Sequence, residues 1–117
     1  FVTLPDGKTP HEMIFKGAPL LDWEMDIAWV IRGGADPIKL IKKYAGNITA
    51  AHIKDIAPKG KNADEDGWAD VGHGTVDWKP IMAALKKTRV RHFVLEHDKP
   101  SNTKRFAERS FVAASKL

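Results

Sequence analysis

The sequence predicts an α/β fold built around a parallel sheet. Three short apolar runs, residues 20–26, 48–53 and 91–96, are each followed by a turn and then by a stretch with helical spacing of apolar residues. Strands that alternate with helices in this way are typical of parallel sheets with helical crossovers. At or near its end each run carries a residue that can bind a metal, and the three are Asp26, His52 and Glu96. Because the carboxyl ends of parallel strands lie at one edge of a sheet, we expect these side chains to meet.

The first element is expected to be a short helix within residues 1–19. Thr9 can cap it, Pro10 occupies the first helical position and Glu12 places an acidic group in the first turn. The first strand then follows over residues 20–26. Its imperfect alternation of apolar and polar residues fits a strand that is buried on both faces.

A second helix is predicted after Gly34. Asp36 can cap it and Pro37 can open it, and Gly46 is placed to end it. Its apolar residues recur at helical spacing: Ile38, Leu40, Ile41 and Tyr44. The second strand is predicted over residues 48–53.

The next segment, residues 54–74, is expected to be a long loop, and loops of this length in small domains are usually functional or mobile. Asp77 can cap a third helix that carries Ile81, Met82 and Leu85. The third strand is predicted over residues 91–96. The last helix is predicted from about Asn102, and the residues on one of its faces are Phe106, Ser110, Phe111 and Ala114.

The composition narrows the function classes. With 117 residues the chain can form one small domain, and the absence of cysteine excludes disulfides and thiolate zinc sites. The net charge of +4 is spread over several helices, which favours solvated surfaces over a nucleic-acid interface. No apolar run is long enough to span a membrane, and no strand–helix junction carries the G-x-G-x-x-G dinucleotide fingerprint.

The ends of the sequence give expectations about location. The first residues lack a signal core, so we expect a cytoplasmic protein. At a true C-terminus Ser115-Lys116-Leu117 would be a peroxisomal address, but the favoured explanation is a helix rich in Ala, Ser and Lys that ends there. The chain also starts without methionine, which predicts a fragment or a processed product.

Two carboxylates and one neutral imidazole at strand ends suit Mn²⁺, Mg²⁺, Co²⁺, Fe²⁺ or Zn²⁺, with positions left for water or substrate oxygens. Each residue alone has an ordinary structural explanation: His52 as a satisfied polar group, Asp26 as a turn former and Glu96 as a partner for a lysine. Their equivalent places in three successive units favour a metal centre. Lys54 shares a face with His52 and would lie over the rim where a substrate binds.

Segments taken in order along residues 20–117 resemble the xylose-isomerase-like sugar phosphate isomerase/epimerase superfamily. The most specific are the segment that starts at Met25 and ends at Trp29, the H-x-K-D tetrapeptide at residues 52–55 and the G-x-G-x-V-D-W stretch at residues 72–78. The others are residues 34–37, 44–48 and 94–96.

This resemblance implies a (β/α)₈ TIM barrel of which the chain is the C-terminal part, strands six to eight with their helices. Residues 1–117 would then be a single partial domain. Residues 1–19 would be the loop and helix after strand five, whose tail would be Phe1-Val2, and residues 20–117 would be three βα units.

The resemblance also implies a function: a divalent-metal-dependent sugar or sugar-phosphate isomerase/epimerase that transfers a proton through an enediolate. Asp26, His52 and Glu96 would be three of four metal ligands, and Glu96 would also be catalytic. A further Glu would lie on an earlier strand outside this chain, so catalysis by this chain alone is in doubt. The implied substrate-binding residues are Lys54, Trp29 and His73.

The implied partners are a small sugar or polyol and either the missing N-terminal half of the barrel or a second copy of the chain, with no nucleic acid and no membrane. An inosose-type dehydratase would use the same metal chemistry. A non-catalytic half-barrel that serves as a binding or scaffold module is a third interpretation. AP endonucleases share the fold but use many histidines, and this chain has five.

Overall fold

The computed structural model describes residues 2–117, and within them helices and strands alternate along most of the chain. In chain order they are α1 (Pro10–Gly17), β1 (Trp23–Asp26), α2 (Ile27–Arg32), α3 (Pro37–Lys43), β2 (Ile48–Ile53), β3 (Asp55–Ile56), β4 (Trp68–Ala69), α4 (Trp78–Leu85), β5 (His92–Leu95) and α5 (Thr103–Ala114). A 3₁₀ turn spans Ala63–Glu65.

The central sheet has three strands in the order β1-β2-β5, and both neighbouring pairs are parallel. Asp26 lies opposite His52, and His52 lies opposite Val94. The predicted α/β class with a parallel sheet is therefore confirmed. A second, two-stranded sheet pairs β3 with β4 in antiparallel orientation.

The hydrophobic core lies on one face of the central sheet. Met25, Ala51 and Ile53 point to that face and are no more than 1% exposed. They belong to one cluster with Ile41 of α3 and Leu85 of α4. Because successive strand residues point to opposite faces, the other face of the same strands carries the polar residues at the strand ends.

Side-chain caps explain where three of the helices begin. Thr9 and Glu12 form a capping box at α1, in which Thr9 N donates to the Glu12 carboxylate over 2.7 Å. The Asp36 carboxylate accepts from two amides at the start of α3. The Asn102 side chain accepts from Arg105 N at the start of α5. These three predicted helix starts are confirmed.

Several predicted boundaries were wrong. β1 begins at Trp23 and not at residue 20, because the Asn47 amide binds the carbonyls of Pro19 and Leu21 in place of a strand partner. A helix, α2, follows β1 directly and was not predicted. α3 ends at Lys43, before Gly46.

Other expectations met a mixed outcome. Asp77 does precede α4, but its side chain caps no amide. On α5, Ser110 is fully buried whereas Phe111 is 68% exposed. The predicted strand tail at residues 1–2 falls partly outside the described residues, and Val2 is not in a strand. None of the helices in residues 2–117 combines the length and the apolar character that crossing a membrane requires.

The predicted loop over residues 54–74 contains ordered structure, namely β3, the 3₁₀ turn and β4. Two-residue strands are too short to leave a periodic pattern in the sequence, which is why they were missed. Asp55 anchors the segment between β4 and α4, because its buried carboxylate accepts hydrogen bonds from Gly72 N, Val76 N and the Trp78 indole over 2.9–3.1 Å.

Candidate metal centre

Three potential metal ligands converge at the C-terminal edge of the central sheet. Asp26 ends β1, His52 lies in β2 and Glu96 follows β5 directly. Each offers a ligand atom, and these atoms lie within 4.8 Å of one another. Glu96 keeps the strand register because its N–H donates to Ile53 O over 3.2 Å. The predicted convergence of these residues is therefore present in the fold.

Acidic groups flank both nitrogens of the His52 ring. Nδ1 lies 3.5 Å from Asp26 Oδ2 and also contacts Glu96 Oε2, whereas Nε2 lies 3.1 Å from Glu24 Oε1. A carboxylate that accepts the N–H of one ring nitrogen leaves the other nitrogen free to bind a metal. The arrangement therefore points Nδ1 at the centre and places Glu24 behind the ring.

The two carboxylate oxygens of Asp26 have different partners. Oδ1 accepts from Trp29 N over 2.8 Å and caps α2, which fixes the orientation of the carboxylate. Oδ2 faces His52 and lies 3.3 Å from Lys54 Nζ. The helix cap thus holds the second oxygen toward the centre.

Lys54 supplies the positive charge in the centre. Its side chain is 1% exposed, and Nζ lies 2.8 Å from Asp98, 3.3 Å from Asp26 and 3.4 Å from Glu96. Burial disfavours the charged form, but the hydrogen bond to Asp98 and the charges of Asp26 and Glu96 outweigh it and raise the pKa of the Lys54 ammonium above its usual value. Lys54 therefore stays protonated and balances part of the negative charge.

The donor set fits a divalent cation. Glu96 Oε2 is buried and accepts no hydrogen bond, although His52 Nδ1 lies against it. A buried carboxylate oxygen that accepts no hydrogen bond is costly, and a cation beside it would lower that cost beyond what the ion pair with Lys54 Nζ at 3.4 Å provides. Two carboxylates and one imidazole are suitable ligands for Mn²⁺, Mg²⁺, Co²⁺ or Zn²⁺. Asp26, His52 and Glu96 are the residues that would hold such an ion.

Trp29 lies beside the centre and is 52% exposed. It borders a cavity of about 220 Å³ that Glu24, Asp26 and His11 also line. Its ring packs edge-on against the buried Trp68 with the centroids 5.0 Å apart. An aromatic side chain thus lies next to the carboxylates, and its contact with a substrate stays a prediction.

The structure places His73 elsewhere. It is exposed and lines cavities on the α5 side of the molecule, next to Arg109. His73 is therefore not brought together with Asp26, His52 and Glu96. Its predicted contact with substrate stays a prediction without a neighbouring site residue to support it.

A buried ionic cluster fixes the loop that carries Glu96. The Glu65 carboxylate accepts from Ser101 N over 2.7 Å and from Arg105 over 2.7 Å. Hydrogen bonds from Ser101 and Arg105 lower the pKa of Glu65 to about 2. Asp70 pairs with Arg105 as well, at 2.9 Å. The loop after β5 is thus tied to the segment between β3 and β4.

Sequence reasoning missed Glu24, Asp98 and Glu65 as contributors to the site. For the first two a signal existed, because each lies two residues from a predicted ligand: Glu24 shares a strand face with Asp26, and Asp98 follows Glu96. Glu65 had no such signal. It lies 36 positions from Ser101, in a segment without periodicity.

Comparison with known proteins does not identify a family for the chain. No protein-family model matches the chain, and no curated protein matches it at a significant level. The resemblance to the xylose-isomerase-like superfamily therefore stays a prediction. The geometry of Asp26, His52 and Glu96 is the basis on which a function can be assigned.

Proposed function

We propose that the chain is the C-terminal part of a (β/α)₈ barrel enzyme, a divalent-metal-dependent isomerase or epimerase that acts on a sugar by proton transfer next to a carbonyl. The observation that carries this proposal is the convergence of Asp26, His52 and Glu96 at the C-terminal ends of three neighbouring parallel strands. In barrels of this class the catalytic residues lie at that end of the strands.

The arrangement of the layers supports a barrel over an open doubly wound sheet. The core packs on one face of β1, β2 and β5, and the potential ligands lie on the other face. In a doubly wound fold, helices would cover both faces, whereas a barrel has helices outside and side chains inside. The face of the sheet that carries the potential ligands would correspond to the interior of such a barrel.

Exposed apolar residues support further strands beyond this sheet. β1 and β5 are its edges among the described residues, and on β5 Phe93 is 41% and Val94 39% exposed. Unpaired edges with apolar side chains favour association. We propose that the rest of the protein or a second copy of the chain pairs with these edges and supplies a fourth ligand, a glutamate.

The described residues have distinct roles in the proposed reaction. Glu96 is 31% exposed at its side chain, so its carboxylate can reach a substrate and exchange a proton with the carbon beside the carbonyl. Asp26 and His52 hold the cation, and Trp29 borders the pocket. The bound cation would stabilise negative charge on substrate oxygens. Lys54 limits the repulsion between the carboxylates.

Deuterium exchange tests this chemistry directly. The protein is incubated with Mn²⁺ and D-fructose in D₂O, and incorporation of deuterium next to the carbonyl is measured by mass spectrometry. One base is enough for exchange, so the step can be detected even if a second glutamate comes from another segment. We expect incorporation above that seen with Mn²⁺ alone, and we expect Glu96→Gln to abolish it.

The matched control is Glu108→Gln, which changes an exposed glutamate on α5 and should leave exchange unchanged. No exchange above the Mn²⁺ background by a protein that binds Mn²⁺ would contradict the isomerase proposal.

The predicted cytoplasmic location is a separate expectation that stays a prediction.

A further inference from the structure

The charges around the metal centre bear on the class of substrate. Lys54 is the cation that lies among the carboxylates of the centre, and all of its charged contacts are internal: Asp98, Asp26 and Glu96 within 3.4 Å. With its side chain 1% exposed, it presents no free ammonium to a ligand. The ammonium of Lys54, an implied substrate-binding residue, is therefore already paired within the fold.

Other cations in the loops and helices that follow the strands are also paired. Lys99 lies 3.0 Å from Asp66. Arg105 binds both Glu65 and Asp70 over 2.7–2.9 Å. Arg32 donates to the Asp66 carbonyl and stacks on Trp68 with its guanidinium carbon 3.2 Å from the ring centroid. Each of these charges has a partner within the fold.

Lys59 and Lys61 are two further exposed lysines of the same region. They flank Gly60 in the turn that joins β3 to β4, at the end of the hairpin away from Lys54. They take part in none of the ion pairs at the centre.

The position of these loops matters because phosphate groups in (β/α)₈ barrels are frequently held by the loops after the last two strands. In the proposed barrel those loops follow β2 and β5. Here three carboxylates, those of Asp26, Glu96 and Asp98, lie within 3.4 Å of the single ammonium of Lys54, and a fourth, that of Glu24, lies 3.1 Å from His52 Nε2. A divalent cation would leave the group still negative, so a phosphate dianion would meet net repulsion.

Uncharged hydroxyl groups suit this lining better. Carboxylate oxygens accept hydrogen bonds from hydroxyls, and the half-exposed Trp29 offers an apolar face for the C–H groups of a sugar ring or chain. We propose, building on the isomerase function above, that the substrate is an uncharged sugar or polyol and not a phosphate ester, because Asp98 and the metal-binding carboxylates neutralise Lys54.

Ligand-observed saturation-transfer NMR on the Mg²⁺-saturated chain tests this with two matched probes, D-fructose and D-fructose 6-phosphate. We expect D-fructose to bind at least as tightly as its phosphate ester in the wild-type protein. Asp98→Asn should partly free Lys54 and raise the affinity for the ester relative to that for fructose by about threefold or more, the size of one ordinary hydrogen bond gained. Asp64→Asn, which changes an exposed carboxylate of the 3₁₀ turn between β3 and β4, should leave the ratio unchanged.

Three results would overturn the proposal: a phosphate ester that binds more than about tenfold tighter than fructose in the wild-type protein, no measurable binding of fructose, or an unchanged ratio in Asp98→Asn. A Mg²⁺ titration of the same samples tests the metal centre separately from the choice of substrate. Failure to bind Mg²⁺ would count against the proposed function, whereas metal binding with preferred binding of the ester would count against the uncharged substrate alone.

Discussion

At the scale of single residues, the environment of His52 organises the centre. The ring is 26% exposed and lies between Glu24 on one side and Asp26 and Glu96 on the other. A carboxylate that does not itself bind the metal but accepts the free N–H of a ligating histidine orients the ring and raises its basicity. Glu24 is therefore a positioning residue whose effect acts through His52.

Replacement of Glu24 tests that role. We expect Glu24→Ala to weaken Mn²⁺ binding by about 10- to 100-fold, because the His52 ring loses the acceptor that orients it. Glu24→Gln should keep most of the affinity, since its amide oxygen can still accept the Nε2–H. Calorimetric titration with Mn²⁺ measures both. Equal losses in the two variants would instead identify Glu24 as a ligand.

Asp55 is the second residue with a defined role, and that role is structural. Its carboxylate accepts from three groups between Gly72 and Trp78, and a Cβ atom on Gly74 would overlap both Asp55 Oδ1 and Ile56 O. The resemblance motifs H-x-K-D and G-x-G-x-V-D-W thus meet in space. Asp55 and Gly74 stabilise the loop, and His52 is the proposed metal ligand among the residues of the two motifs.

Removal of the Asp55 charge should cost stability. We expect Asp55→Asn to lower the free energy of unfolding by about 2–4 kcal/mol, because an amide cannot accept all of these buried hydrogen bonds. Urea unfolding followed by tryptophan fluorescence measures the change. Asp77→Asn is the control, since that exposed side chain caps nothing, and it should change stability by less than about 0.5 kcal/mol. Similar effects of the two substitutions would contradict this role.

At the scale of elements, the loop after β5 depends on the long segment between β3 and β4. Glu65 in the 3₁₀ turn binds Ser101 and Arg105, and His97 packs edge-on against Phe106 at 5.5 Å. Two connections that are distant in sequence thus form one support for Glu96. Rigid support of this kind keeps ligands in the geometry that a metal requires.

The acid sensitivity of this support depends on the pKa of Glu65. That pKa is lowered to about 2, so the ionised carboxylate stabilises the fold above its ordinary pKa near 4.5, and this contribution is lost as the pH falls toward 2. We expect Glu65→Gln to destabilise the protein at pH 7 by about 1–3 kcal/mol, and the difference from wild type to shrink between pH 4.5 and 2. Urea unfolding at several pH values measures this.

Glu108→Gln provides the comparison, because Glu108 is exposed and pairs only loosely with Lys104 at 3.8 Å. The free energy of unfolding of the Glu108→Gln variant should equal that of the wild type at every pH. A Glu65→Gln difference that stays constant from neutral to strongly acidic pH would show that the carboxylate of Glu65 does not contribute through its charge.

The sequence allowed prediction of those elements whose signals are local. The strand at residues 48–53, the caps Thr9 and Asp36 and the start of the last helix at about Asn102 were correct because periodicity and capping depend on near neighbours. The convergence of Asp26, His52 and Glu96 followed from parallel topology. The hairpin of β3 and β4 and the Glu65 cluster depend on contacts between distant residues, and no short pattern encodes those.

At the scale of the whole molecule, the two faces of the central sheet differ. The hydrophobic core covers one face. The other face is polar at the C-terminal ends of the strands and carries the apolar Val94 on β5. Val94 lies on the same face as His52, and Phe111 and Leu20 add exposed apolar surface elsewhere. Such surface on a small domain marks an interaction site or promotes association. The proposed barrel accounts for it, because further strands would cover both edges.

Self-association of the isolated chain is the corresponding prediction. We expect the 117-residue chain to elute from a size-exclusion column above its 13.0 kDa monomer mass, with an apparent mass that rises with concentration, because unpaired edges of β1 and β5 can pair between copies. Light scattering on the eluted peak gives the mass. A stable, soluble monomer over a wide concentration range would contradict the need for additional strands.

The most direct test of the account is a Mn²⁺ titration of the chain and of three variants, with binding measured from the electron paramagnetic resonance signal of the free ion. We predict that His52→Ala and Glu96→Gln each weaken binding by more than about tenfold, since each removes a ligand. His73→Ala, which changes an exposed histidine away from the centre, should bind as the wild type does. Unchanged affinity in both ligand variants would contradict a metal centre at Asp26, His52 and Glu96.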